Sequence, residues 1–169
     1  PDAERITFES LYKQALAYKR NKDYVNAIDI YTKIIEKRQY KEECVECAKL
    51  YEDVGDIYYD LKDFQRAFEF MQKALQIYAA NNMYDLQLDQ YKKIGSLQQG
   101  IWQFKKAIDI FQQALTLATR LGKIDKIIEF ELLTGNVLNW AEELQESERY
   151  LVSAIEKEKN ANLPLIKLR

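Results

Sequence analysis

Residues 51–74 read YEDVGDIYYDLKDFQRAFEFMQKA. Small residues (Gly55, Ala67, Ala74) stand at helical spacing from large ones (Tyr51, Val54, Tyr58, Phe64, Met71), and the pattern is interrupted once, at Lys62-Asp63. Apolar residues at i, i+3, i+4 and i+7 form one face of a helix, and Asp is a favoured acceptor for the unpaired amides that open the next one. The stretch is therefore a helical hairpin. It recurs at a spacing of 40 residues. Gly55, Gly95 and Gly135 are one position, with Ala15 as the nearest substitute; Ala27, Ala67, Ala107 and Ser147 are another. Tyr31, Met71, Phe111 and Leu151 follow, then Ile34, Ala74, Ala114 and Ala154.

The period predicts eight helices, roughly 5–20, 24–38, 43–61, 64–80, 83–99, 104–121, 124–141 and 144–159. Within units the breaks fall at Asn21-Lys22-Asp23, Lys62-Asp63, Gly100 to Gln103 and Glu142-Glu143, with Asp23 and Asp63 as N-caps. Between units they fall at Asn81-Asn82, Gly122 and Asn160 to Asn162, residues that tolerate the left-handed conformation ending a helix. A helical glycine costs about 0.5–1 kcal/mol relative to alanine. Three in register need a compensating reason, and close approach of the paired helices near Ala67 supplies it. One pair cannot hide its apolar face alone, so the units must stack. The expected fold is all-α: a right-handed superhelical solenoid of four helix-turn-helix units, 4–43, 44–83, 84–123 and 124–163, with 164–169 beginning a capping helix or a fifth unit.

Composition narrows the function. Of the 169 residues, 47% are apolar and 31% charged, and the net charge of -2 gives no general attraction to nucleic acid or anionic lipid. No apolar run reaches the ~18 residues of a membrane helix. The opening Pro-Asp-Ala-Glu-Arg has neither an initiator Met nor a signal-peptide pattern, so the chain reads as a piece of a longer cytoplasmic protein. Histidine is absent. That removes the commonest general acid/base and the commonest metal ligand, and with them most of the case for an enzyme or a metal cofactor.

The order large residue, aliphatic, small residue, aromatic, then Ala-x3-aromatic resembles the tetratricopeptide repeat. Unit two carries it throughout, in Tyr51, Val54, Gly55, Tyr58, Ala67, Met71 and Ala74. Unit one has Leu11, Ala15, Tyr18, Ala27 and Tyr31, with Gln14 and Ile34 off pattern, and unit three has Gln98 at the aromatic position. Unit four departs furthest, at Glu131, Thr134 and Ser147. The spacing here is 40 residues where the usual repeat has about 34; in this it is similar to long-unit polarity scaffolds and bacterial peptide-sensing regulators.

The resemblance implies that a ligand lies in the concave groove lined by first helices. Residues there not needed for packing are Lys13, Leu16 and Arg20, then Asp53, Asp56 and Tyr59, then Lys92, Lys93, Ser96 and Gln99, and finally Leu133, Asn136, Asn139 and Trp140. Net charge follows the same alternation, +2, -4, +2 and -4 in successive blocks of forty. Two readings fit: solvated faces with ion pairs between units, or a groove that selects a partner of complementary charge. Trp140 and Tyr59 are the candidate anchors, since exposed Trp and Tyr dominate interfaces; the alternative is that Trp140 packs on its own chain. In some long-unit relatives an asparagine recurs to clamp an extended ligand, but the positions matching Asn136 hold Leu16, Asp56 and Ser96.

Cys44 and Cys47 form a C-x-x-C, yet zinc needs four ligands and the chain has no histidine or further cysteine; a packing role is the stronger expectation. Asp53 and Asp56 share a helical face, as acid/base chemistry requires, without an evident pocket. No catalytic, cofactor or metal residues are assigned. The leading function is a scaffold that holds another protein's peptide segment or helix, without nucleic-acid or membrane partners. The alternatives are a ligand- or peptide-sensing module of a larger signalling protein, and self-association through the C-terminal end, where Leu151, Val152 and Ile155 lack a partner.

Overall fold

The computed structural model describes residues 2–37 and 45–161. Cys44, Asn162 and the 164–169 segment lie outside them. The described chain is helical with short turns: α1 (Asp2–Arg20), α2 (Tyr24–Lys37), α3 (Val45–Asp60), α4 (Phe64–Ala80), α5 (Tyr84–Gly100), α6 (Phe104–Arg120), α7 (Ile124–Trp140) and α8 (Leu144–Ala161). Among the described residues there is no strand. Most boundaries among the described residues fall within one residue of the sequence expectation, and the larger differences lie at the two ends. Helix α1 begins at Asp2, ahead of residue 5, and α8 runs through Asn160 to Ala161 instead of breaking there.

Both kinds of break turn out to be one turn. In each three-residue connection the middle residue is left-handed: Lys22, Lys62, Asn82, Trp102, Gly122 and Glu142 have φ between 55° and 65°. The amide of the residue after it reaches back to a carbonyl five residues earlier, as in Asp23 to Tyr18, Asp63 to Tyr58, Gln103 to Gln98 and Glu143 to Leu138, each 2.9 Å. This pairing closes the C-terminus of one helix. The third turn residue then opens the next, and Asp63 does so with its side chain, accepting from the Arg66 amide at 3.1 Å. Asp23 makes the corresponding contact with Asn26 at 3.4 Å.

The chain divides into two compact units, Pro1–Tyr84 and Asp85–Arg169. In the N-terminal unit α1 packs on α2, α2 on α3 and α3 on α4. One cluster joins Ala15, Ala27, Tyr31, Ile34, Leu50, Val54 and Ile57, and a second joins Cys47, Ala48, Ala74, Ile77 and Tyr78. Cys47 is thus a buried residue of the core. In the C-terminal unit α6 packs on α7 and α7 on α8, and the rings of Phe111 and Phe130 meet 6.2 Å apart.

The repeated glycines face the same residue of the partner helix in every copy. A Cβ on Gly55 would stand 3.0 Å from Met71, one on Gly95 2.2 Å from the Phe111 ring, and one on Gly135 2.8 Å from Leu151. Close helix approach is what the missing side chain permits. Where Ser147 replaces the repeated alanine, its hydroxyl donates to the Gly135 carbonyl at 2.8 Å, so the off-pattern residue adds a bond across the same contact.

Candidate functional site

In the N-terminal unit the two acidic residues expected to line a groove, Asp53 and Asp56, are taken by side chains of α1. Lys19 on α1 donates to Asp53 at 2.8 Å and to Asp56 at 3.0 Å on α3. Tyr12 donates to the other oxygen of Asp53 at 2.8 Å. Asp53 is 2% exposed, which corrects its assignment as a partner-facing residue. Burial pulls the Lys19 ammonium down, but its bonds to Asp53 and Asp56 outweigh that and hold it above the usual lysine range. Burial, and then the Asp53 charge, raise the Tyr12 and Tyr31 phenols; burial and Glu52 do the same for Tyr78, which donates to Glu52 at 2.9 Å. The acidic pair that might have served acid/base chemistry is therefore held by a lysine.

The C-terminal unit repeats the arrangement with other residues. Lys92 on α5 donates to Glu129 on α7 at 2.5 Å, and Lys126 reaches the second Glu129 oxygen at 2.9 Å. Burial pushes the Glu129 carboxyl up, yet hydrogen bonds from the two lysines prevail and leave it below the usual range. The off-pattern Glu131 accepts from Ser153 at 2.9 Å and Lys157 at 2.7 Å. Part of the charge alternation is thus paired inside each unit, Lys19 with Asp53 and Asp56 and Lys92 with Glu129 joining successive repeats.

Of the remaining candidates, Lys13 and Arg20 are exposed on α1, Leu16 is half-buried, and Leu133 and Asn136 are half-buried on α7 beside exposed Asn139. Lys93 is half-buried. Tyr59 is 39% exposed, but its ring lies against Phe64 at 5.8 Å, with Lys62 over it at 5.6 Å.

One group of candidates does converge. Ser96, Gln99 and Trp140 line a shallow recess of about 260 Å³ together with Gly100, Trp102 and Phe104. Trp102 and Trp140 are 72% and 61% exposed, and their rings meet at 90° with centroids 6.4 Å apart; Phe104 stands 5.7 Å from Trp102. Trp140 ends α7, Trp102 occupies the left-handed turn after α5, and Phe104 opens α6. Sequence reasoning treated Gly100 to Gln103 as a break and so missed Trp102. A signal existed: the chain has two tryptophans, and they fall 38 residues apart, nearly one repeat.

Among the described residues no group of acidic, cysteine or histidine side chains could hold a metal ion, and no helix is long and apolar enough to cross a membrane.

The helical-hairpin repeat with small residues at the pair contact places the described chain in the class of all-α repeat proteins. The tetratricopeptide-repeat family model matches residues 7–80, the stretch that holds the first two helical hairpins. The fold is similar to the apo form of RapI (TM-score 0.78, 16% identity, 92% of this chain and 57% of that one). It is also similar to BtubC from P. vanneervenii (0.77, 18%, 96% and 67%) and to a putative kinesin light chain of Podosopora anserina (0.76, 13%, 92% and 76%). The chain thus spans little more than half the length of RapI. No curated protein matches the sequence.

Proposed function

We propose that this protein is an interaction scaffold that binds a peptide segment or helix of a partner protein, with the Trp102–Trp140 recess as its anchor. The observation that carries the reading is the exposure of both indoles in mutual contact. Large aromatic side chains left in water forgo about 1.5–3 kcal/mol of burial, and buried Trp and Tyr are the residues that most often dominate interfaces. Ser96 and Gln99, on the helix face where the family resemblance places ligands, border the same recess. Lys13, Leu16, Arg20 and Lys93, with Leu133, Asn136 and Asn139, would supply peripheral contacts on their own helices, adding specificity more than affinity.

A random peptide library displayed on phage tests this. Peptides selected on the wild-type protein should bind at least about tenfold more weakly to the W102A/W140A double variant, a loss typical of interface anchors, with the helical circular-dichroism signal unchanged. Equal binding to both proteins would remove the recess from the site. Self-association is a second contact, favoured by Val152 and Ile155 exposed on α8; a sedimentation coefficient that does not rise with concentration would exclude it.

A further inference from the structure

We infer that the Trp102–Trp140 recess is shaped for a proline-rich segment of a partner protein in the polyproline II conformation; the inference rests on the reading of this recess as the partner site. Its six lining residues are Ser96, Gln99, Gly100, Trp102, Phe104 and Trp140, and none is charged. Among the described residues, neither indole N–H, nor the Gln99 amide, nor the Ser96 hydroxyl is engaged by another side chain or carbonyl. The recess therefore offers aromatic faces and unused donors, and its complement is an uncharged group with flat apolar surface and acceptors.

Proline is that complement. Its backbone nitrogen has no hydrogen to leave unpaired, its carbonyl accepts, and its ring presents a flat apolar face. A polyproline II segment also exposes its backbone carbonyls and loses little freedom on binding, which is why aromatic-lined grooves recognise it. Two rings at 90° present faces that meet in a corner, so one pyrrolidine ring packs on one indole while its edge meets the other.

A cationic side chain is the rival occupant, because aromatic faces attract cations. The lining argues against it. No carboxylate borders the recess to offset desolvation of the charge. Where this chain does place cations over rings it uses its own, Lys62 over Tyr59, Arg66 over Tyr58 and Lys73 over Tyr51, and both indoles are left without one among the described residues.

Because the only tryptophans of the chain are these two, intrinsic fluorescence reads the site directly. Titration with an oligoproline peptide of about ten residues, roughly three turns of polyproline II, should shift the emission saturably. A length-matched glycine-serine peptide and a lysine-rich peptide should not. In W102A and W140A, each keeping one fluorophore, the oligoproline affinity should fall about tenfold or more, with circular dichroism unchanged. No saturable response to oligoproline, or a response only to the lysine-rich peptide, overturns the inference. The two levels separate through the phage-selected peptides: if those lacking proline still require both tryptophans, the site stands and its proline preference falls. If selected peptides ignore both tryptophans, the site and the preference fall together.

Discussion

Trp102 has φ of 64° and is largely in water. A left-handed backbone costs an ordinary L-residue roughly 1–2 kcal/mol, and glycine or asparagine adopts it readily. Gly122 and Asn82 stand at the equivalent place in two other turns. On stability alone, then, a tryptophan is a poor choice twice over, for its backbone and for its exposed ring. Replacing Trp102 with glycine should therefore stabilise the protein by about 0.5–1 kcal/mol in urea unfolding while removing peptide binding. A loss of stability would mean that the indole supports the fold and that its exposure has another explanation. The turn itself was legible in the sequence, because Gly100 and a charged or amide residue in the other copies mark it. Trp102 was not, since its left-handed conformation is imposed by the helix ends around it and not by any preference of tryptophan.

The helix pairs make a graded claim. Gly55, Gly95 and Gly135 were readable as one position from their spacing, and so was the reason for them; the facing residue decides how much each tolerates. Met71 is unbranched and can move away from a new methyl group, whereas the Phe111 ring, fully buried, would stand only 2.2 Å from it. Overpacking a close-packed contact costs typically 1–3 kcal/mol. Gly95→Ala should fall at about 3 kcal/mol and Gly55→Ala near about 1 kcal/mol, compared by thermal or urea denaturation. Equal losses would indicate that helix propensity and not the facing side chain sets the cost. The charged candidates show the limit of pattern reading at this scale. Asp53, Asp56 and Lys92 lie on the expected helices, yet each is taken by a partner one repeat away, Lys19 or Glu129. Spacing places a residue on a helix face, but it does not say whether the next repeat brings an opposite charge within reach.

Across the whole molecule, stability in such arrays is close to a sum over repeats and their neighbours, so pH should act through particular residues. The phenols of Tyr12, Tyr31 and Tyr78 and the ammonium of Lys19 are all raised. Each keeps its proton longer folded than unfolded, so the stability it contributes is complete below the ordinary values near 10 and is lost as pH rises through the folded ones. Lys126 adds to this alkaline limb. Glu129 is lowered, so its contribution is complete above the ordinary glutamate value near 4.3 and is lost as pH falls through the folded one; the exposed cap Asp63 has the same sign. Urea midpoints measured against pH should decline at both ends. Tyr12→Phe should flatten the alkaline limb alone and Lys92→Met the acid limb; a variant that changed the opposite limb would break the assignment.

The hairpin repeat, its glycine contact and the approximate helix boundaries were written in the period of the sequence, while Trp102 lies within its turn and Trp140 at its helix end, two different places in that period, so the register alone did not pair them. Their meeting is tested most directly by the two indole N–H resonances in a heteronuclear NMR spectrum of the intact chain, during titration with a peptide selected from the display library. Both indole signals should move with the fraction bound. Two stationary indoles, with the backbone amides of Lys13, Leu16 and Arg20 moving in their place, would contradict the account and return the site to the first-helix face of the N-terminal unit.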